Sequence, residues 1–162
     1  MIDKSEAQNK NPFLSLTEEQ LLSLPGKSIK DSFVQALLNN KECKWDIIIG
    51  GEYIIKSEFQ DHIYSSYDFG IAITYSNDTI KGVALLNDYK DEFENKLWKH
   101  FKGIIPYGLK FSMDDKSVKK KLNKYKCDSS GSSLTFWDIK MIIFYKGNGI
   151  NNSIINTFLF VK

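Results

Sequence analysis

The chain has 162 residues, a formal net charge of +2, and is 42% hydrophobic and 14% aromatic. That length suits one domain, or two small units that share a core. The near-neutral balance leaves no electrostatic footprint of a nucleic-acid binder. No apolar run is long enough to span a membrane, and the polar start MIDKSEAQNKNPF lacks the apolar region of a secretory signal.

Residues 1–15 read as a flexible leader. A first helix is expected from Leu16 to Leu24, with Thr17 as N-cap and Glu18 and Glu19 at the positive end of its dipole. Pro25-Gly26 breaks it, and a second helix is expected from Ile29 to Asn39. Strands follow over Trp45–Ile49, Tyr53–Phe59, Tyr67–Tyr75 and Ile80–Leu86, the last two joined by the turn residues Ser-Asn-Asp. In NDYKDEFENKLWKHF (87–101), Phe93, Leu97, Trp98 and Phe101 fall at helical spacing and predict a linker helix. Pro106 and Gly108 punctuate the chain before another helix. There Ser112 is the expected N-cap, Asp114 and Asp115 occupy the first turn, and Met113, Val118 and Leu122 face inward. Strands near Ser133–Trp137, Ile139–Tyr145 and Ile154–Val161 close the chain, with Lys-Gly-Asn-Gly as a hairpin turn.

Shifting the chain by 84 positions sets KSIKDSFVQALLNNKEC against the helix after Gly108. Ser28 meets Ser112, Ile29 meets Met113, Asp31 meets Asp115, Val34 meets Val118, Leu38 meets Leu122 and Cys43 meets Cys127. Beyond the helices the offset falls to 70 (138 − 68), and there Asp68 meets Asp138 and Tyr75 meets Tyr145. The reading is α+β: one domain over 16–162, built from two divergent helix-then-antiparallel-strand units (16–86 and 104–162) joined by 87–103. Its antiparallel sheet carries the helices on one face. The paired cysteines read as free buried thiols of a reducing cytoplasm.

Few residues offer chemistry. No Cys-x-x-Cys pair, His-Glu-x-x-His run, spaced carboxylate loop, nucleophile elbow or phosphate loop occurs, so neither a metal nor a cofactor is expected. GKS at 26–28 lacks the preceding glycine, and Pro25 stands where the loop must curl. Asp61 beside His62 leaves a small hydrolytic enzyme as one alternative. Lys116 to Lys126 with Tyr125 leaves a nucleic-acid-binding module as another, although a solvated helix face accounts for the same lysines. The first unit is longer between Cys43 and Asp68 than the second between Cys127 and Asp138, and the extra piece is acidic and aromatic. Glu58, Asp61, Tyr64, Tyr67 and Asp68 within it are the candidate partner-binding residues, since rings bury area at low entropy cost.

Leu24-Pro25-Gly26-Lys27, the hairpin GIAITYSNDTIKGVALL and IIPYGLKFSMDDKSVKKKLN resemble the pattern of small bacterial toxin-immunity proteins of the contact-dependent-inhibition and polymorphic-toxin type. The helix-then-sheet repeat is similar to the tandem architecture of the β-lactamase inhibitor protein and of outer-membrane assembly lipoproteins. Asn123 stands where the pattern ends its helix with Gly, and no lipoprotein cysteine lies near the N-terminus. The resemblance implies a cytoplasmic immunity protein with no enzymatic chemistry of its own. It would neutralise a cognate antibacterial toxin, expected to be a nuclease, by blocking its active site.

Overall fold

The computed structural model describes residues 11–49, 62–91, 95–146 and 154–162. The strand expected over Tyr53–Phe59, and Gly147, Asn148 and Gly149 of the second turn, lie outside them. The described chain enters through a 3-10 turn, Pro12–Ser15, capped by Asn11, whose side chain accepts from the Phe13 N–H at 2.9 Å. Phe13 is fully buried, with its ring edge-on to Trp45 and Phe69 at centroid distances of 5.9 and 5.8 Å. The last residues of the expected leader thus form a turn that seats a core side chain.

Helix α1 (Glu18–Leu22) starts as the sequence implies: Thr17 and Gln20 cap each other's backbone N–H groups in a capping box. The next two helices are shorter than expected, and aspartates cap both in place of serines. In α2 (Ser32–Leu38), Asp31 Oδ1 accepts from Phe33 N at 2.9 Å and Val34 N at 3.3 Å. Ser28 instead bridges to Thr79, and Ile29 N donates to Asp78 O at 2.9 Å, which holds this stretch out of the helix. In α3 (Asp115–Lys121) the cap is Asp114, accepting from Ser117 N at 2.8 Å, while Ser112 sits in the preceding turn.

The strands are β1 (Asp46–Ile49), β2 (His62–Ser66), β3 (Ile71–Ser76), β4 (Thr79–Leu86), β5 (Tyr89–Asp91), β6 (Lys96–Trp98), β7 (Asp128–Ser130), β8 (Ser133–Phe136), β9 (Met141–Lys146) and β10 (Ile154–Val161). Eight form one antiparallel sheet in the order β1-β2-β3-β4-β10-β9-β8-β7, with Ala84 opposite Leu159 at the central β4–β10 pair. The fold class is α+β with an antiparallel sheet. The β3–β4 hairpin turns through Asn77 and Asp78, at φ 49° and 58°, the left-handed pair that a two-residue turn needs.

Alternation along the strands divides the core in two. On one side Ile71, Ile73, Val83, Leu85, Phe158 and Phe160 pack with Leu21, Leu24, Val34, Leu37, Val118 and Leu122 of the helical segments. On the other, Ile63, Ala72, Ala84, Leu86 and Leu159 pack with Trp98. That tryptophan comes from the predicted linker helix, which is instead a β5–β6 hairpin with Tyr89 opposite Trp98. Leu97 is 64% exposed and Trp98 buried, so neighbours point in opposite directions, as a strand requires and a helical stripe forbids. Phe93 lies outside the described residues. Backbone bonds fasten the hairpin down: Lys99 N to Tyr67 O at 2.9 Å and Phe101 N to Leu86 O at 2.8 Å.

Candidate functional site

Strand register assembles a row of rings at the β1 edge of the sheet. Ile47, Tyr64 and Ile73 stand opposite one another, and so do His62 and Tyr75. Opposed residues share a face, which places His62, Tyr64, Tyr75 and Ile47 on the helix side. The His62 and Tyr75 rings stack at 5.0 Å and 22°, and the Tyr75 and Tyr64 rings at 5.0 Å and 18°. Tyr64 then meets Trp45 edge-on at 6.1 Å, and Trp45 meets Phe13. The ladder of rings runs from Phe13 in the core to His62 on β2, and Ile47, opposite Tyr64 on β1, is 56% exposed. Burial, with the neighbouring Tyr64 hydroxyl adding to it, pushes the Tyr75 hydroxyl up to about 12. Among the described residues the indole N–H of Trp45 has no hydrogen-bond partner.

The sheet divides the residues expected to bind a partner. Tyr64 belongs to the ladder. Tyr67 packs with the second cluster instead, its ring 4.1 Å from Trp98 and 4.8 Å from the Lys96 ammonium. Asp68 is exposed and pairs with Lys99 at 2.8 Å. Glu58 and Asp61 lie outside the described residues. Beside Tyr67, a cleft of about 210 Å³ is lined by Lys44, Asp46, Asp68 and Lys96, charges of both signs, with Lys96 ion-paired to Asp46.

For hydrolysis, His62 is engaged by the Tyr75 ring, and its sequence neighbour Asp61 is not described. The described histidine–carboxylate pair is a different one: Asp88 accepts from the His100 backbone N–H at 2.8 Å and contacts its Nδ1 at 3.2 Å. Both side chains are exposed, and the contact clamps the base of the β5–β6 hairpin. Among the described residues no group of His, Cys, Asp and Glu could hold a metal. In the lysine-rich stretch, Lys119 pairs with Asp115 at 3.6 Å and Lys124 lies over the Tyr125 ring. Cys43 is buried, Cys127 half-buried, and both are free. Among the described residues no helix is long and apolar enough to cross a membrane.

Two features escaped the sequence reading. Trp137, 62% exposed, donates its indole N–H to Asp128 Oδ2 at 2.8 Å. Ile142 and Phe144, on the sheet face away from the helices, are only partly buried. The alternation of Met141–Lys146 signalled two faces, but not that Ile142 and Phe144 stay half-buried against the cluster that holds Trp98. No family model, curated protein or solved structure matches the chain.

Proposed function

We propose that the protein is a binding module of the toxin-immunity kind, which neutralises a partner protein by covering its working surface. The observation that carries this reading is the ladder of His62, Tyr75 and Tyr64, with exposed Ile47 opposite Tyr64 on the neighbouring strand. Stacked rings held by strands lose little entropy on binding, and an exposed aliphatic beside them supplies the apolar centre of an interface. Glu58 and Asp61 lie in sequence between β1 and β2, and β2 supplies two of the three stacked rings. Carboxylates there would suit the basic cleft of a nuclease, and would speed encounter through steering.

We further propose that the domain consists of two divergent units related by duplication. Strand order is mirrored about the β4–β10 pair, so β3 corresponds to β9 and β2 to β8. Val34 and Val118, matched in sequence, are both fully buried in the same cluster. Least-squares superposition of residues 28–86 on 112–161 should bring α2 onto α3 and β3–β4 onto β9–β10. A fit that pairs either helix with unrelated strands removes the duplication.

The functional test uses a toxin domain encoded next to this chain, with its affinity measured by calorimetry and protection by survival of cells expressing both. Ile47→Lys should leave the melting temperature unchanged, weaken affinity at least about tenfold, equivalent to about 1.4 kcal/mol, and lower survival. Asp68→Lys, already paired with Lys99, should cost less. No affinity of the native protein for such a domain rejects the immunity reading. Native affinity that resists Ile47→Lys but is lost in Phe144→Asp moves the interface to the opposite face.

A further inference from the structure

A cleft of about 250 Å³ opens between the segment after α1 and the end of β10, away from the ladder. Leu22, Ile139 and Phe160 supply apolar lining, Tyr107 a ring, and Lys140 and Lys162 the charge. Among the described residues neither lysine makes an ion pair. The Lys162 stem is held against Gly26, within about 3.6 Å of where a side chain would begin.

Backbone strain converges on the same place. Five described residues other than glycine have positive φ: Asn77, Asp78, Asn95, Tyr107 and Lys140. The first three are Asn or Asp, which tolerate the left-handed region. The remaining two, Tyr107 at φ 63° and Lys140 at φ 48°, both line this cleft. Each position would suit glycine better, and each keeps a large side chain. Glu18 accepts from the Tyr107 N–H at 2.8 Å and holds that turn, while Lys140 caps a 3-10 turn through its N–H to Trp137 O at 3.1 Å. Strain retained at two lining residues is what a binding site imposes on a fold.

We propose that this cleft binds an amphipathic carboxylate: a small apolar or aromatic body lodged against Leu22, Ile139 and Phe160, with its carboxylate held by Lys140 and Lys162. Apolar walls with a few convergent charged groups are the ordinary makeup of a ligand site, and a cleft of this size takes a body of benzene or hexane dimensions. The source is a free organic acid or the C-terminal residue of a partner chain, since both present a carboxylate on an apolar body.

The test titrates the full chain with benzoate and hexanoate, their neutral counterparts benzyl alcohol and hexanol, acetate, and the peptide acetyl-Gly-Gly-Phe as free acid and as amide. Amide and side-chain NMR shifts of Tyr107, Lys140 and Lys162 are followed. Saturable binding is expected for benzoate or the peptide acid at a Kd of about 1 mM or tighter, and at least about tenfold weaker for the neutral and acetate probes. Preference for the peptide acid over benzoate assigns the site to a chain end; the reverse assigns it to a free acid. Lys140→Gly should fold with a melting temperature no lower than native and lose the binding, and Lys140→Arg should retain it. Lys162→Gln provides a second weakening variant that leaves the strained turn untouched. No saturable shift with any acid, or native affinity in both Lys140→Gly and Lys162→Gln, overturns the proposal.

Discussion

Tyr64 and Tyr75 lie ring on ring across the β2–β3 pair, 5.0 Å apart and within 18° of parallel. Tyr75 is half-buried beside Tyr64, and partial desolvation of the ionised form, with the Tyr64 hydroxyl adding to it, raises its pKa to about 12. An unfolded tyrosine ionises near about 10. Between those values the unfolded chain has released a proton that the folded chain still holds. Stability is therefore fully present below about pH 10 and declines as pH climbs toward 12. Burial, with Asp115 and Asp114 adding to it, pushes Tyr145 in the same direction. Urea denaturation at stepped alkaline pH should show this decline in the native chain and a shallower one in Tyr75→Phe. Parallel declines in the two proteins would mean that Tyr75 ionises as freely as an unfolded tyrosine.

Gly70 carries the packing of the β5–β6 hairpin onto the sheet. Its φ is +66°, and a Cβ there would lie 2.2 Å from Lys99 O and 2.5 Å from Phe101 N, both backbone atoms that cannot swing aside. Gly70→Ala adds left-handed strain of about 1–2 kcal/mol to an overpacking cost of about 1–3 kcal/mol. Chemical denaturation should show a loss of about 2–5 kcal/mol on those two grounds. Gly131→Ala is the control: its φ is +54°, yet nothing lies within 4 Å, so the strain alone should appear. Equal losses at both sites would refute the close-approach argument.

Much of this architecture was legible in local chemistry. Thr17 with Gln20, the Asn77-Asp78 turn and the burial of Val34 and Val118 each follow from short-range patterns that packing reinforced. The 87–101 stretch misled because Leu97, Trp98 and Phe101 satisfy helical spacing, while two of them also satisfy the alternation of a strand. Hydrogen bonds from Lys99 to Tyr67 and from Phe101 to Leu86 join residues far apart in sequence, and no local period encodes them. The candidate site was half legible for a similar reason. An acidic, aromatic insertion is visible as composition, but Tyr64 and Tyr67 part company because they project to different faces of the sheet. Tyr75, which completes the ladder, sits on the next strand and is joined to Tyr64 by register alone.

The aspartate caps make stability sensitive to acid. Hydrogen bonds from Ser117 hold the Asp114 carboxyl below its ordinary value. Its contribution is present above the unfolded carboxylate pKa and is lost as pH falls through the lower folded one. Asp114→Asn keeps an acceptor at the cap without a titrating charge. Thermal melts across the acid range should show a smaller fall in melting temperature for Asp114→Asn than for the native chain. If the two acid limbs coincide, Asp114 gains nothing from its charge.

Phe13 offers the sharpest test of how far the folded body reaches toward the N-terminus. It is fully exposed to neither water nor a loose leader: its ring is completely buried, edge-on to Trp45 and Phe69 and 6.3 Å from Phe101. Next to it, Leu14 is 56% exposed, as expected where a short turn shows one residue to the core and the next to water. Phe13→Ala removes an aromatic side chain from a core that cannot fully collapse around the gap, at a cost of about 3–5 kcal/mol. Leu14→Ser should change stability by less than about 0.5 kcal/mol. Because Phe13 also supports Trp45, the inner end of the ladder, Phe13→Ala should raise hydrogen exchange at Tyr64 and Tyr75 more than at Ile143 or Phe158 in the opposite half of the sheet. Similar small effects from Phe13→Ala and Leu14→Ser would return this turn to the leader and leave the ladder without its anchor in the core.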